Sequence, residues 1–133
     1  GTKALAHRLA REVQEQSPDT VVKVFNISQT DKNDIMTQVF RSKAIAVGSP
    51  TVGKSILSSV AGWMHFLFEL QFKKKRGAVF GCYGWSGEGN TELRELLKKA
   101  GFSVVDPEVK SLWNPTEEQF AGLKEIATAL LAP

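Results

Sequence analysis

Residues 77–99 read GAVFGCYGWSGEGNTELRELLKK, and this stretch decides the fold class. Its first six residues form a short apolar run typical of a buried strand, and residues 91–99 place apolar side chains at helical spacing. Residues 81–89 form a glycine-rich turn between the two, and Gly101 predicts a glycine C-cap just beyond the helix. The stretch therefore predicts a strand, a turn and a helix that together form one parallel α/β unit.

The same alternation continues along the whole chain. A first helix is predicted from the spacing of Leu5, Leu9 and Val13 and ends near Pro18. In all, four strands are predicted, at 20–27, 43–48, 77–82 and 102–105. Four helices are predicted after the first, at 31–40, 55–72, 91–99 and 116–131. A helix followed by four strand–helix units is typical of a doubly wound parallel sheet in a three-layer α/β/α domain. We expect a single domain over residues 1–133, because 42% hydrophobic content suits one core.

The predicted order begins with a helix that no strand precedes. Doubly wound domains of this size usually place their first strand in the centre of the sheet. Without that strand, the strand at 20–27 would have to bridge about 10 Å, or two inter-strand spacings, to its neighbour. We therefore expect this sequence to be N-terminally incomplete by about 10 to 15 residues, enough for one strand and its loop.

Composition and charge limit the classes of partner. The net charge of +3 is too small to argue for nucleic acid. No apolar run approaches the roughly 20 residues of a membrane span, no leader pattern opens the sequence, and Cys82 is a single cysteine. These features predict a soluble, cytoplasmic protein with no nucleic-acid or membrane partner. The basic run at 73–76, KKKR, is interpreted as solvating a turn, with a binding patch as the alternative.

A second glycine-rich turn at residues 48–55 reads GSPTVGKS and also lies between a predicted strand and a predicted helix. It matches the phosphate-binding pattern G-x-x-x-x-G-K-[ST] through Gly48, Gly53, Lys54 and Ser55. Taken alone, the match favours a P-loop nucleotide-binding enzyme, which would also need a strand ending in an aspartate that holds Mg²⁺. Residues 102–106, FSVVD, are the candidate for that strand. A P-loop enzyme and an ordinary tight turn therefore remain alternatives here.

Both turns are expected at the carboxyl edge of the sheet, because each follows a parallel strand. Backbone N–H groups and helix N-termini at such an edge can hold an anionic or a flat heteroaromatic ligand. The turn at 81–89 combines aromatic side chains with glycines that allow close backbone approach. Tyr83 and Trp85 are therefore candidates for stacking on a flat ring, and the alternative is that they pack within their own loop.

Residues 81–106, GCYGWSGEGNTELRELLKKAGFSVVD, followed by Trp113 and Pro115, resemble the flavodoxin-like module of the A-type flavoproteins. These are also called flavodiiron proteins, and the family includes flavorubredoxin. Residues 24–49 and the Ser-Pro-Thr turn at 49–51 match the same family, so the resemblance covers essentially the whole chain. Its most specific element is the run YGWSG at 83–87.

The resemblance implies a non-covalent FMN site in the crevice at the carboxyl edge. One side of the isoalloxazine ring would be held by Ser49, Pro50, Thr51, Val52, Gly53 and Lys54. The other side would be held by Tyr83, Gly84, Trp85, Ser86, Gly87 and Gly89. Thr2 matches the last hydroxyl residue of the family's phosphate loop, at a helix N-terminus that favours a phosphate. The family commonly carries asparagines near Gly53 and Lys54, so this sequence departs from the family there.

The resemblance also implies a function and partners. In A-type flavoproteins this module follows a metallo-β-lactamase-like diiron domain that reduces nitric oxide or dioxygen. The expected role is to relay electrons from a reductase or rubredoxin-like donor to that diiron centre, and the family's head-to-tail dimer makes a homodimer an expected arrangement. His7 and His65 lack the neighbours of a metal site, so we expect no complete catalytic site in this chain. The basic balance suits an acidic donor.

Overall fold

The computed structural model describes residues 2–49, 51–52, 55–56, 58–83, 89–112 and 116–133. Within these residues the helices are α1 (Thr2–Gln16), α2 (Lys32–Arg41), α3 (Ser58–Leu70), α4 (Gly89–Lys99) and α5 (Glu117–Leu131). The strands are β1 (Ala44–Gly48), β2 (Thr51–Val52), β3 (Ser55–Ile56), β4 (Arg76–Tyr83), β5 (Ser103–Val104) and β6 (Val109–Leu112).

Strand β4 is the centre of the sheet. It pairs in parallel with β1 on one side and with β5 and then β6 on the other. Strand β2 continues the line of β1, pairs in parallel with the end of β4, and forms an antiparallel pair with β3. The predicted α/β parallel sheet with a flavodoxin-like, doubly wound order is confirmed.

Two apolar layers cover the two faces of the sheet. One contains α2, α3 and α4, whose buried side chains include Val39, Met64 and Leu97, and the other contains α1 and α5. Successive residues of β4 serve opposite layers, since Val79 belongs to the first cluster and Phe80 to the second. This arrangement is the predicted three-layer α/β/α sandwich, with Trp63 and Met64 of α3 buried in its core.

The prediction of a strand at residues 20–27 is wrong for the described structure, which has no strand there. The run is β-branched, but a strand needs a hydrogen-bonded neighbour, and none of the described ladders includes this segment. Val21 is 80% exposed as a result. Val22 packs against the layer of α1 and α5 while Ile27 packs against the opposite layer, so the segment still follows the boundary between the two layers.

The bounds of some other helices and strands also differ from the predicted ones, and the reasons are local. The helix predicted at 55–72 begins later, at Ser58, because Ser55 and Ile56 pair with β2. Strand β6 was not predicted, since its sequence VKSL mixes polar and apolar residues and follows Pro107. The caps agree with the sequence pattern: Asp31 accepts a hydrogen bond from the backbone N–H of Asn33 at 2.7 Å and so caps α2.

Gly62 of α3 has room for a larger side chain, because a Cβ atom there would meet no other atom within 4 Å. An interior helical glycine costs about 1 kcal/mol relative to alanine. We therefore expect Gly62→Ala to raise the free energy of unfolding, measured by urea denaturation, by roughly that amount. The matched control is Gly122→Ala in α5, where the new Cβ would lie 3.0 Å from Val109 Cγ2 and the gain should shrink. Equal gains at both positions would contradict the packing explanation.

Candidate functional site

The two glycine-rich turns leave the sheet from neighbouring strands. Gly48 at the end of β1 is paired with Phe80 of β4, and a Cβ at Gly48 would lie 2.2 Å from the Phe80 ring. A Cβ at Gly81 would lie 2.4 Å from the carbonyl oxygen of Ser49. Because neither glycine has a Cβ, the ends of strands β1 and β4 can approach each other closely where the two turns begin. The predicted common edge of the sheet is therefore present.

The first turn folds back on itself as a small hairpin. Thr51 is paired with Ile56, and Val52 is paired with Ser55. Thr51 is also paired with Tyr83, which lies at the start of the second turn. Ser49 is 2% exposed, and its backbone N–H donates to the carbonyl of Phe80 at 3.4 Å. Backbone pairing thus brings the described parts of both predicted ring-binding loops side by side.

This hairpin disagrees with the P-loop alternative. In a P-loop the Lys-Ser/Thr pair opens the following helix, so that helix N–H groups and the hydroxyl face the phosphates and the metal ion. Here Ser55 belongs to β3, and α3 begins at Ser58. Asp106 lies after the end of β5 and is exposed, in the segment that joins β5 to β6. The match to the P-loop pattern is therefore a match of letters without the matching geometry.

The first turn of α4 holds both glycine-rich turns in place. Asn90 is 3% exposed and donates from Nδ2 to the carbonyl of Val109 at 2.9 Å, and its Oδ1 faces Gly81. Glu92 accepts a hydrogen bond from the backbone N–H of Ile56 at 3.4 Å and so connects α4 to the hairpin. The sequence analysis missed both residues. Their position in the first helical turn after a glycine-rich loop was the available signal.

Thr2 lies at the same edge of the sheet as the two turns. Helices α1 and α5 run side by side in the same direction: the Arg8 guanidinium lies 5.3 Å from the Phe120 ring centroid, and eight residues further along, Thr128 donates to Gln16 at 3.0 Å. Helix α5 begins shortly after β6, whose last residue is paired with Tyr83. The N-terminus of α1 therefore faces the carboxyl edge.

The hydroxyl of Thr2 is buried and has no hydrogen-bond partner within the described residues. A buried hydroxyl without a partner costs about 1–3 kcal/mol, so such groups usually meet a ligand or water. The first turn of α1 contains no acidic residue, and its free N–H groups carry the positive end of the helix dipole. The chemistry at this position fits a phosphate group.

Several predicted site residues lie outside the described residues, so their placement stays a prediction. They are Pro50, Gly53, Lys54, Gly84, Trp85, Ser86 and Gly87. Trp113 and Pro115, which contributed to the resemblance, lie outside as well. For four others, the backbone is described: Thr51, Val52, Tyr83 and Gly89. The structure thus brings Ser49, Thr51 and Tyr83 together, while ring contacts of both loops remain a prediction.

The two histidines singled out in the sequence lie on different helices of the described chain. His7 is exposed on α1, and His65 on α3 lies 3.7 Å from Glu69 with 76% of its side chain exposed. Across the described residues, no group of three or more His, Cys, Asp or Glu side chains could hold a metal ion. Within the same residues, every helix is too short or too polar to cross a membrane.

Comparison with known proteins gives consistent matches over nearly the whole chain. The family model for flavodoxin matches residues 1–125. The anaerobic nitric oxide reductase flavorubredoxin of Aeromonas hydrophila is 37% identical over 124 residues, which cover 93% of this chain and 25% of that protein. This chain therefore spans about a quarter of the length of that curated relative.

Solved structures with the same fold include a multidomain protein and a free flavodoxin. The rubredoxin oxygen:oxidoreductase of Desulfovibrio gigas has a TM-score of 0.91 and 32% identity, with 97% of this chain and 32% of that chain covered. A flavodoxin from the domain Archaea has a TM-score of 0.80 and 29% identity, with 95% of this chain and 85% of that chain covered. The described fold is thus similar both to a free flavodoxin and to part of a larger oxidoreductase.

Proposed function

Because this chain belongs to the flavodoxin family, we propose that it is the electron-transfer module of an A-type flavoprotein. It relays electrons from a reductase or rubredoxin-like donor to a diiron centre that reduces nitric oxide or dioxygen. The names of the similar proteins, a nitric oxide reductase and a rubredoxin oxygen:oxidoreductase, support this role. The observation that carries the proposal is the backbone junction of the two glycine-rich turns at Thr51 and Tyr83.

FMN is the cofactor that membership of this family implies, and the described residues fit it. Bound FMN supplies one-electron and two-electron transfer, while the protein binds, orients and shields it. The Thr2 hydroxyl and the free N–H groups of α1 would hold the phosphate. The turns at 49–54 and 83–89 would hold the two sides of the ring. Asn90 and Glu92 would act as positioning residues, since they fix the bases of these turns.

The proposed partners follow from the length of the relatives. This chain covers 25% of the flavorubredoxin of A. hydrophila, so a diiron metallo-β-lactamase-like domain would belong to the parent protein. The electron donor and the diiron centre would both approach the carboxyl edge, because electrons enter and leave through the ring. In a homodimer, the flavin ring of one subunit would face the diiron centre of its partner across this same carboxyl edge.

The extent of the domain is part of the proposal. Residues 20–27 have no ladder partner in the described structure, yet Val22 and Ile27 pack against opposite helical layers. We infer that residues 1–133 belong to a single domain, and that one further strand from outside these residues pairs between this segment and β1. A chain extended upstream should then show hydrogen-exchange protection at residues 20–27, and continued exchange there would contradict the inference.

Binding of FMN tests the proposed function directly. We expect a 1:1 titration that quenches flavin fluorescence and raises the thermal midpoint, since at 100 times Kd a ligand adds about 2.7 kcal/mol of stability. ATP with Mg²⁺ should leave the midpoint unchanged, because Ser55 lies in a strand and not at a helix start. A response to ATP without a response to FMN would instead support the P-loop enzyme.

Thr2→Val tests the phosphate contact. The change removes one hydroxyl and keeps the side-chain shape, so we expect FMN affinity to fall about 10-fold, the loss of one charge-assisted hydrogen bond. The stability of the ligand-free protein should stay the same or rise, because the removed hydroxyl is buried without a partner. Riboflavin, which lacks the phosphate, is the control ligand. An equal loss for riboflavin and FMN would show that Thr2 does not contact the phosphate.

A further inference from the structure

A second surface of note lies at the opposite, amino edge of the sheet. Three chain segments meet there through backbone bonds: Phe72 N–H donates to Ala100 at 3.0 Å, and Arg76 N–H donates to Lys43 at 3.2 Å. We call the exposed part the amino-edge surface and define it by six residues: Phe40, Lys43, Phe68, Leu70, Lys73 and Lys74. It contains Lys73 and Lys74, the first two residues of the basic run at 73–76 that was interpreted as solvating a turn.

The amino-edge surface contains three exposed apolar side chains. Phe40 is 59% exposed, Phe68 41% and Leu70 37%. The Phe40 ring lies 4.9 Å from the ring of Phe72, which is buried, so the exposed apolar area continues directly into the core. Phe68 follows the fully buried Leu67 on α3, yet the structure leaves Phe68 partly in solvent. Exposed apolar side chains grouped at one edge are typical of interaction surfaces.

The amino-edge surface also contains three lysines. Lys43, Lys73 and Lys74 are exposed, and none of their ammonium groups has a hydrogen bond or ion pair with a described residue. Lys75 differs, because its ammonium donates to the carbonyls of Phe40 and Ser42. Helix dipoles favour cations in a last helical turn, but Lys73 and Lys74 lie beyond the end of α3. Their charge is therefore free to interact with a partner.

The loop that carries these lysines is also strained. Gln71 and Lys74 have positive φ angles, 47° and 61°, which cost about 1 kcal/mol or more in residues other than glycine. For Gln71 the cost is offset, because its side chain donates to the carbonyls of Phe68 and Lys99 at 2.8 and 2.9 Å. Lys74 makes no hydrogen bond with a described residue that would offset the cost of its positive φ angle. Uncompensated strain of this kind concentrates at functional positions.

We propose that the amino-edge surface binds an acidic protein surface with an apolar centre. Exposed aromatic side chains and charged side chains at one edge are features of a protein interface, and the lysines without a described partner supply charge complementarity. Strand β4 separates this surface from the carboxyl edge by about 23 Å, at 3.3 Å per residue. The contact therefore anchors a partner and leaves the carboxyl edge free. It does not depend on flavin binding, so the two proposals fail separately.

Amide-resolved NMR titration of the protein, both without FMN and with FMN added, tests this proposal. The probe is a 20-residue peptide of Glu and Asp with a central Leu-Phe-Leu segment. We expect shifts at the amino-edge surface and an affinity that falls at least 10-fold between low and moderate salt. Lys73→Glu with Lys74→Glu should lower affinity at least 10-fold. The control, Lys110→Glu with Lys124→Glu, changes the net charge equally at exposed positions elsewhere and should change affinity less than 2-fold.

Phe68 provides a second variant pair. Phe68→Gln should lower peptide affinity and Phe68→Leu should largely retain it, while unchanged spectra elsewhere show that both variants fold. Shifts confined to the carboxyl edge, or equal losses in the two lysine variants, would overturn the proposal. Tighter binding of a 20-nucleotide single-stranded DNA, or of vesicles containing phosphatidylserine, would overturn it in favour of nucleic acid or membrane.

Discussion

Gly81→Ala is expected to weaken FMN binding by about 100-fold and to lower the free energy of unfolding by about 2 kcal/mol. The added Cβ would lie 2.4 Å from the carbonyl oxygen of Ser49 and 3.2 Å from Asn90 Oδ1. The first of these neighbours is backbone, so relief of the clash must move the base of one turn away from the other. Loss of two ring or phosphate hydrogen bonds, at about 1.4 kcal/mol each, accounts for the expected affinity change.

The matched control for this change is Gly77→Ala, four residues earlier in the same strand. Its Cβ would lie 3.3 Å from Leu97 Cδ1, the end of a flexible side chain. Leu97 can shift its rotamer, so we expect a small stability change and unaltered FMN affinity. Isothermal titration with FMN and urea denaturation measure the two quantities. Equal affinity losses for Gly77→Ala and Gly81→Ala would show that the approach of the turns does not control the site.

The features that depend on residues close together in the sequence were predicted correctly, such as the end of a helix and the position of a turn. The end of α4 is indicated by Gly101, by the lysines before it and by the apolar spacing. The structure has Gly101 at φ 100° at that position. Strand-turn-helix order placed Gly48 and Gly81 at one edge, and the register of β1 and β4 confirms that placement. The absence of a Cβ matters at both positions, because a Cβ would clash with the Phe80 ring at Gly48 and with the Ser49 carbonyl oxygen at Gly81.

Contacts distant in sequence were not predictable in the same way. Residues 20–27 have strand-like composition, but whether they join a sheet depends on a neighbour that their own sequence does not specify. The helix predicted at 55–72 begins only at Ser58, because Ser55–Ile56 form a hairpin with Thr51–Val52. Asn90 acts through the Val109 carbonyl, nineteen residues away, which no local pattern reveals. The roles of the ring-contact residues outside the described ranges remain predictions from the resemblance alone.

The end of α4 shows how one glycine stabilises the amino edge. Phe102 N–H donates to Leu97 at 3.1 Å and Gly101 N–H donates to Lys98 at 3.1 Å, the two bonds of a Schellman motif. A Cβ at Gly101 would lie 1.9 Å from the Phe72 carbonyl oxygen. Position 101 therefore needs both a left-handed backbone and the absence of a side chain.

Gly101→Ala is accordingly expected to lower the free energy of unfolding by about 3 kcal/mol, of which about 1 comes from the left-handed backbone and the rest from the clash. Urea denaturation measures it. Gly101→Asn is the control, because asparagine tolerates the left-handed region but carries the same Cβ, so its loss should be nearly as large. Recovery of most of the stability by asparagine would contradict the clash. FMN affinity of the folded Gly101→Ala protein should be unchanged, since its effect lies at the edge opposite the proposed flavin site.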